Sequence, residues 1–305
     1  MKRDLLKAHG ALFAVALIYG LNYLVAKDVM QGYLDPREFI LIRAVGATLL
    51  FWILHAITGK SKQIIKKKDL GRMALAGLFG VAANQIFFFE GLHLTTPINA
   101  SIIMTINPVL VLLLSTIFLK DPLSPLKIFG IAMGGTGAII LISQGGSANL
   151  LAAGEGLGNL FVLFNALSYG LYLVVVKPLM ITYSPLQVIK YVFLFGMIYV
   201  IPFSFYQLED TPWEAFDTAV WLKVAFVVVF TTFFAYLLNI YAIKSVASTT
   251  VSIYIYLQPF FATTFSLWVG VDHLDGTKVI SAVLIFAGVG MVSYRKLNKS
   301  SISPE

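Results

Sequence analysis

Ten predominantly apolar stretches, each about the length of a membrane-crossing helix, run along the chain with only short connections between them. A helix needs roughly 20 residues to cross about 30 Å of hydrocarbon. Inside a bilayer every backbone polar group must be satisfied by the protein, so only helices and closed barrels can span it. Barrel strands would alternate in polarity over about ten residues, whereas these runs are long and continuously apolar. The expected fold is therefore an all-α integral membrane protein of ten transmembrane helices. They are placed at 9–28, 37–57, 71–92, 97–119, 124–143, 158–178, 185–206, 219–242, 247–270 and 276–294. Only 12% of the residues are charged, about half the share of a soluble domain, which is too few to cover a body of this size in water.

The amino-terminal "MKRDLLK" and the apolar run after it have the general form of a signal peptide. The run is long, lacks a small-x-small cleavage site and is echoed later in the chain, so it reads as a retained span. If the amino terminus is cytoplasmic, the internal segments hold 16 of the 22 basic residues, including the run "GKSKQIIKKKDLGR" at 59–72. That bias orients the stack, with both termini cytoplasmic in the cell membrane. Lys27 and Lys177 end matching segments on opposite sides, so one of them opposes the bias.

The chain says nearly the same thing twice. "ALIYGLNYLVAKDVM" (16–30) and "ALSYGLYLVVVKPLM" (166–180) agree at eight of fifteen positions without a gap. "SIIMTINPVL" (101–110) lies opposite "SIYIYLQPFF" (252–261), and Gly137 opposite Gly288. A five-helix unit starts on one membrane face and ends on the other, so its copy starts inverted. The expected organisation is a first repeat at 1–145, a second, inverted repeat at 155–295, and a short cytoplasmic tail at 296–305. Inverted repeats are characteristic of secondary transporters, whose substrate site lies at mid-depth between them.

The motifs "YGLNYLVAK" (19–27), "RAVGATLLF" (43–51), "FFEGLHLTTPINASIIMTINPV" (88–109) and "NIYAIKSVASTTVSIYIYLQPF" (239–260), in that order and spacing, resemble the EamA branch of the drug/metabolite transporter superfamily. The resemblance covers nearly the whole chain. It implies ten helices in two inverted five-helix repeats, cytoplasmic termini, and transport of small organic metabolites, with export of amino acids or related amphipathic compounds leading. The two halves have drifted: Arg43 has Val192 at its repeat position.

Polar groups within the spans are the candidates for a binding site. Asn84 and Gln85 must face the bundle interior, as cavity lining or as interhelical glue. Asn107–Pro108 and Gln258–Pro259 are repeat equivalents near mid-span, where proline frees a carbonyl and permits a bend. Tyr19 and Tyr169 are also equivalents. With Tyr172, Tyr236, Tyr254, Asn22 and Asn165 they would suit an amphipathic organic molecule. Arg43, Lys190 and Glu90 are charges within spans; each either snorkels to the interface or serves substrate attraction or gating, the latter through an Arg43–Glu90 ion pair. Pro108 and Pro259 complete the gating candidates.

The alternatives are a channel and a membrane-embedded enzyme. His9, His55, His93 and His273 are scattered without an HExxH pair, and no GxSxG elbow or nucleotide loop occurs. No cofactor and no metal are expected, and the absence of cysteine removes thiolate chemistry. The expected partners are a small organic substrate and membrane lipid, not nucleic acid. Spans five and ten, glycine-rich and apolar, read as packing helices or as the contact of a homodimer.

Overall fold

The computed structural model describes residues 2–58, 64–119, 124–143, 154–209, 211–243 and 254–293. Ten helices follow the expected order. They are α1 (Lys2–Gly32), α2 (Pro36–Thr58), α3 (Lys67–Leu94), α4 (Pro97–Met104, resuming at Asn107–Leu119) and α5 (Pro125–Ser143). The second half holds α6 (Glu155–Thr182), α7 (Pro185–Ser204), α8 (Thr218–Ala225, continuing through Phe226–Phe234 to Ala235–Ile243), α9 (Leu257–Val269) and α10 (Gly276–Ser293). Among the described residues, nine are long and apolar enough to cross a membrane. Residues 247–253 of the ninth expected span lie outside the described residues, as do the 296–305 tail and residues 59–63 of the basic run at 59–72. The chain is a multi-pass membrane protein. The first and sixth helices extend beyond their expected ends because a helix can continue past the hydrocarbon into polar surroundings.

Several starts are explained locally. Thr96, Ser184 and Asp217 accept a hydrogen bond from the backbone N–H three residues on, and proline opens both α4 and α7. The helices pack as an inverted repeat requires. α1 lies against α8 and α9, α6 against α3 and α4, and α2–α7 and α5–α10 pair across the halves. Exchanging each helix for its counterpart returns these same pairings.

The repeated Tyr–Gly pair now has a packing reason. A Cβ on Gly20 would run into Phe261 Cβ in α9, and one on Gly170 would lie 2.7 Å from Leu114 Cδ1 in α4. α1 and α6 therefore come close enough to α9 and α4 to need glycine there. The glycines of α5 and α10 face one another: Gly130 meets the Gly288 carbonyl, and Gly137 meets Ser281 and Ile285.

Helix direction alternates, so both described ends of the chain lie at one end of the bundle, here the termini end. There Tyr183, between α6 and α7, accepts from the Lys66 N–H at 3.2 Å and donates to Asp69 at 2.8 Å. The Lys66 N–H works to lower the phenol's pKa, but burial and Asp69 together raise it above the usual tyrosine value, so the hydroxyl remains a donor.

Candidate functional site

α4 and α9 break at corresponding places. Between Met104 and Asn107 the bonds shorten to Thr105 N–H on the Ile102 carbonyl (3.1 Å) and Ile106 N–H on the Ile103 carbonyl (3.0 Å). Thr105 has φ −69° and ψ −13°, and Tyr256, its repeat counterpart ahead of Pro259, has φ −72° and ψ −11°. Each break comes just before its Asn–Pro or Gln–Pro pair, as proline's missing donor and its clash with the preceding turn require.

α3 and α8 each carry a widened π turn, at Leu78–Ala82 and Phe226–Phe234. Such a turn frees carbonyls and is frequent at functional sites. Ser168 of α6 donates to the Phe79 carbonyl at 2.7 Å, and in α8 Thr231 and Thr232 both donate to the Val227 carbonyl.

Between these irregular helices the side chains converge. Tyr169 and Tyr172 of α6 have ring centroids 6.0 Å apart, and the Tyr172 and Tyr236 hydroxyls lie near one another. Tyr19 lies near Tyr169, Tyr236 and Arg43. Tyr169 remains 39% exposed beside these tyrosines. The Gln258 carbonyl lies beside Gly20, next to Tyr19. Asn22 and Gln85 are buried, and their amide oxygens, like that of Asn107, have no hydrogen-bond partner among the described residues. Arg43 donates through Nε to Thr232 Oγ1 at 2.7 Å and lies 5.2 Å over the Phe89 ring.

Other candidates sit elsewhere. Asn84 and Asn165 join α3 to α6 reciprocally, each amide donating to the other's carbonyl at 3.3 Å and 2.7 Å. Tyr254 pairs with His9 Nδ1 at 2.9 Å near the start of α1. Lys190 is buried, 4.6 Å over the Trp52 ring and 5.0 Å over Tyr191, rather than reaching the surface. The expected Arg43–Glu90 pair is not formed. Glu90 pairs with Arg37 at 3.1 Å instead. Arg37 and Arg43 are six residues apart on α2, which turns them to different faces at about 100° per residue.

At the far end, opposite the termini, lies a polar network that the sequence reading passed over. Lys27 donates to the carbonyls of Leu92 (2.9 Å), His93 (2.6 Å) and Thr95 (2.7 Å), capping the C-terminal end of α3. Thr95 donates to Asn159, whose amide donates to the Leu141 carbonyl at 2.9 Å. Asn99 donates to Thr95 at 3.5 Å and to Glu155 at 3.4 Å. Asp272, between α9 and α10, accepts the Ile98 N–H of α4 at 3.1 Å and pairs with buried Lys278 at 2.7 Å. The dense polar letters of "HLTTPINAS" and "VDHLDGTK" are the signal that could have found it.

The model of the EamA-like transporter family matches residues 6–143 and again 156–294. A Bacillus subtilis protein named as the uncharacterized transporter YyaM is 26% identical over 292 residues, covering 94% of this chain and 95% of that protein. A Streptantibioticus cattleyicolor protein named as a probable terminal-alkyne amino-acid exporter is 26% identical over 237 residues, covering 77% of this chain and 76% of its own. A solved crystal structure shares the fold, with a TM-score of 0.64 at 18% identity over 96% of this chain and 98% of that one.

Proposed function

Because the chain belongs to the EamA-like transporter family, we propose that this membrane transporter carries small amphipathic metabolites, amino acids or close relatives, through the mid-depth cluster. The observation that carries the reading is the convergence of Tyr19, Tyr169, Tyr172 and Tyr236 from both repeats, together with amide oxygens on α1 (Asn22), α3 (Gln85) and α4 (Asn107) that have no partner among the described residues. Tyrosine rings pack an apolar body and their hydroxyls, with the amides, hold polar groups. Asn84 and Asn165 serve the helix contact beside this site.

The repeats, 1–145 and 155–295, move against each other, with the breaks before Pro108 and Pro259 as bending points. The Lys27 and Asp272–Lys278 network is the closed gate at the far end. Basic-residue bias supports a cell-membrane orientation with the termini cytoplasmic, and the far end then faces outside. Export is the proposed direction, supported by the name of the exporter relative. Since the glycine faces of α5 and α10 are spent on each other, a homodimer would use their outer faces, where Phe129, Ile139 and Val283 are exposed. The test is flux in proteoliposomes across an amphipathic metabolite panel. Carrier-type saturable flux, lowered at least about tenfold by Tyr169→Ala and Asn22→Ala in folded protein, is expected; flux indifferent to both variants refutes the site.

A further inference from the structure

We infer that the substrates of this site carry a carboxylate and that Arg43 holds it; the inference rests on the mid-depth transport site proposed above. An arginine within a membrane span normally finds a counter-charge or lines a wet cavity. Among the described residues no carboxylate pairs with Arg43. Glu90 is on Arg37, Asp28 is on Lys223 and Asp272 is on Lys278. The neighbours of Arg43 are instead neutral or aromatic: Thr232, Phe89 and Tyr19.

The guanidinium is held for a ligand. Thr232 takes the Nε hydrogen, and the Phe89 face lies against the cation. The outer Nη edge, engaged by no described residue, presents two parallel donors that match the two oxygens of a carboxylate. One guanidinium balances one negative charge. A phosphate, at nearly two charges, would leave excess charge in a site of low dielectric. The unpaired oxygens of Asn22, Gln85 and Asn107 then accept from N–H or O–H groups elsewhere on the same molecule.

A kinetic consequence follows. To change sides empty, the carrier passes through a closed state with Arg43 desolvated and without a counter-charge. Loaded, it passes with the charge paired. A carboxylate on the receiving side therefore speeds the return step and accelerates flux.

The test uses the full chain in proteoliposomes, with leak into protein-free vesicles subtracted. Carboxylates are compared with their own primary amides, beginning with phenylacetate against phenylacetamide and L-phenylalanine against L-phenylalaninamide. The acids are expected to be carried roughly tenfold or more faster than the amides, the scale of one charge-assisted pair. Unlabelled acid on the receiving side should raise wild-type flux about twofold or more. Arg43→Gln should erase both effects and Arg43→Lys should keep part of them, because an ammonium retains the charge without the fork. Thr232→Val, which removes only the Nε partner, should weaken the discrimination and guards against a misfolded Arg43→Gln. Amides carried as fast as acids, or discrimination that survives in folded Arg43→Gln, overturn the inference and leave the transport site standing. No flux of any compound by folded wild type overturns the transport site and this inference with it.

Discussion

Lys27→Met should loosen the far end of the bundle. The ammonium has three donors, and all three are spent on the carbonyls of Leu92, His93 and Thr95. A hydrogen bond with one charged partner contributes about 1.5–3 kcal/mol net. Three bonds on one ammonium do not add, and water entering at the membrane surface replaces part of the loss. The position at the carboxyl end of α3 adds up to about 2 kcal/mol from the helix dipole. A loss of about 3 kcal/mol is the working figure, equal to roughly two powers of ten in the balance between closed and open far ends. The chain has no cysteine, so a single Asn22→Cys probe can be read without background. Asn22 is buried on the same helix, five residues deeper than Lys27. A membrane-impermeant thiol reagent applied at the far side should label Asn22→Cys slowly, and tens of times faster once Lys27→Met is added. Labelling within about twofold of the parent, in protein with an unchanged Tm, would show that these bonds do not hold the end closed.

Lys278→Met should lower stability by about 3–5 kcal/mol, because it strands the buried Asp272 carboxylate, and adding Asp272→Asn should recover much of the loss in thermal denaturation. Gly20→Ala should cost about 1–3 kcal/mol through overpacking against the fixed Phe261 Cβ. Gly170→Ala should cost less, since Leu114 Cδ1 is the far end of a flexible side chain; the order of the two Tm values checks this. Pro108→Ala and Pro259→Ala should keep the fold and lower transport several-fold by straightening α4 and α9, visible as a longer distance between spin labels across each break. A variant that straightens without slowing flux would separate the bends from gating.

The spans were legible because lipid forces long apolar runs, and the pairing of the halves was legible because eight matched letters survive between 16–30 and 166–180. The breaks before Asn107 and Gln258 could be placed from proline alone. The partners of the amides could not. A span amide must be satisfied whether it lines a cavity or joins two helices, so Asn84 looked the same in sequence under either role. The π turns were hidden for a similar reason: a one-residue widening leaves apolar composition unchanged, and only Gly80 and the Thr231–Thr232 pair hinted at it. The Arg43–Glu90 pairing failed on geometry that was already available, since Arg37 lies on another face of the same helix nearer its end.

In the proposed orientation Lys27 stands against the charge bias, and its hydrogen bonds give a reason. Its repeat counterpart, Lys177, is exposed near the end of α6, where positive charge fits the bias. Lys27 is kept on the opposite side by three carbonyls, a local gain that outweighs the sidedness preference. The two ends of the bundle have thus diverged in how they close. The far end relies on a buried ion pair and a chain of hydrogen bonds through Thr95, Asn99 and Asn159. Toward the termini, Phe51 packs on Phe193, Phe233 and Tyr236, and the described polar links are few: Tyr183 with Lys66 and Asp69, and Tyr254 with His9. A perfectly symmetric pair of repeats would make its two access states equal in energy. Polar closure at one end and aromatic closure at the other make them unequal. Weakening either set should therefore shift the resting state in opposite directions, with Lys27→Met favouring access from the far side and Phe51→Ala favouring access from the termini side.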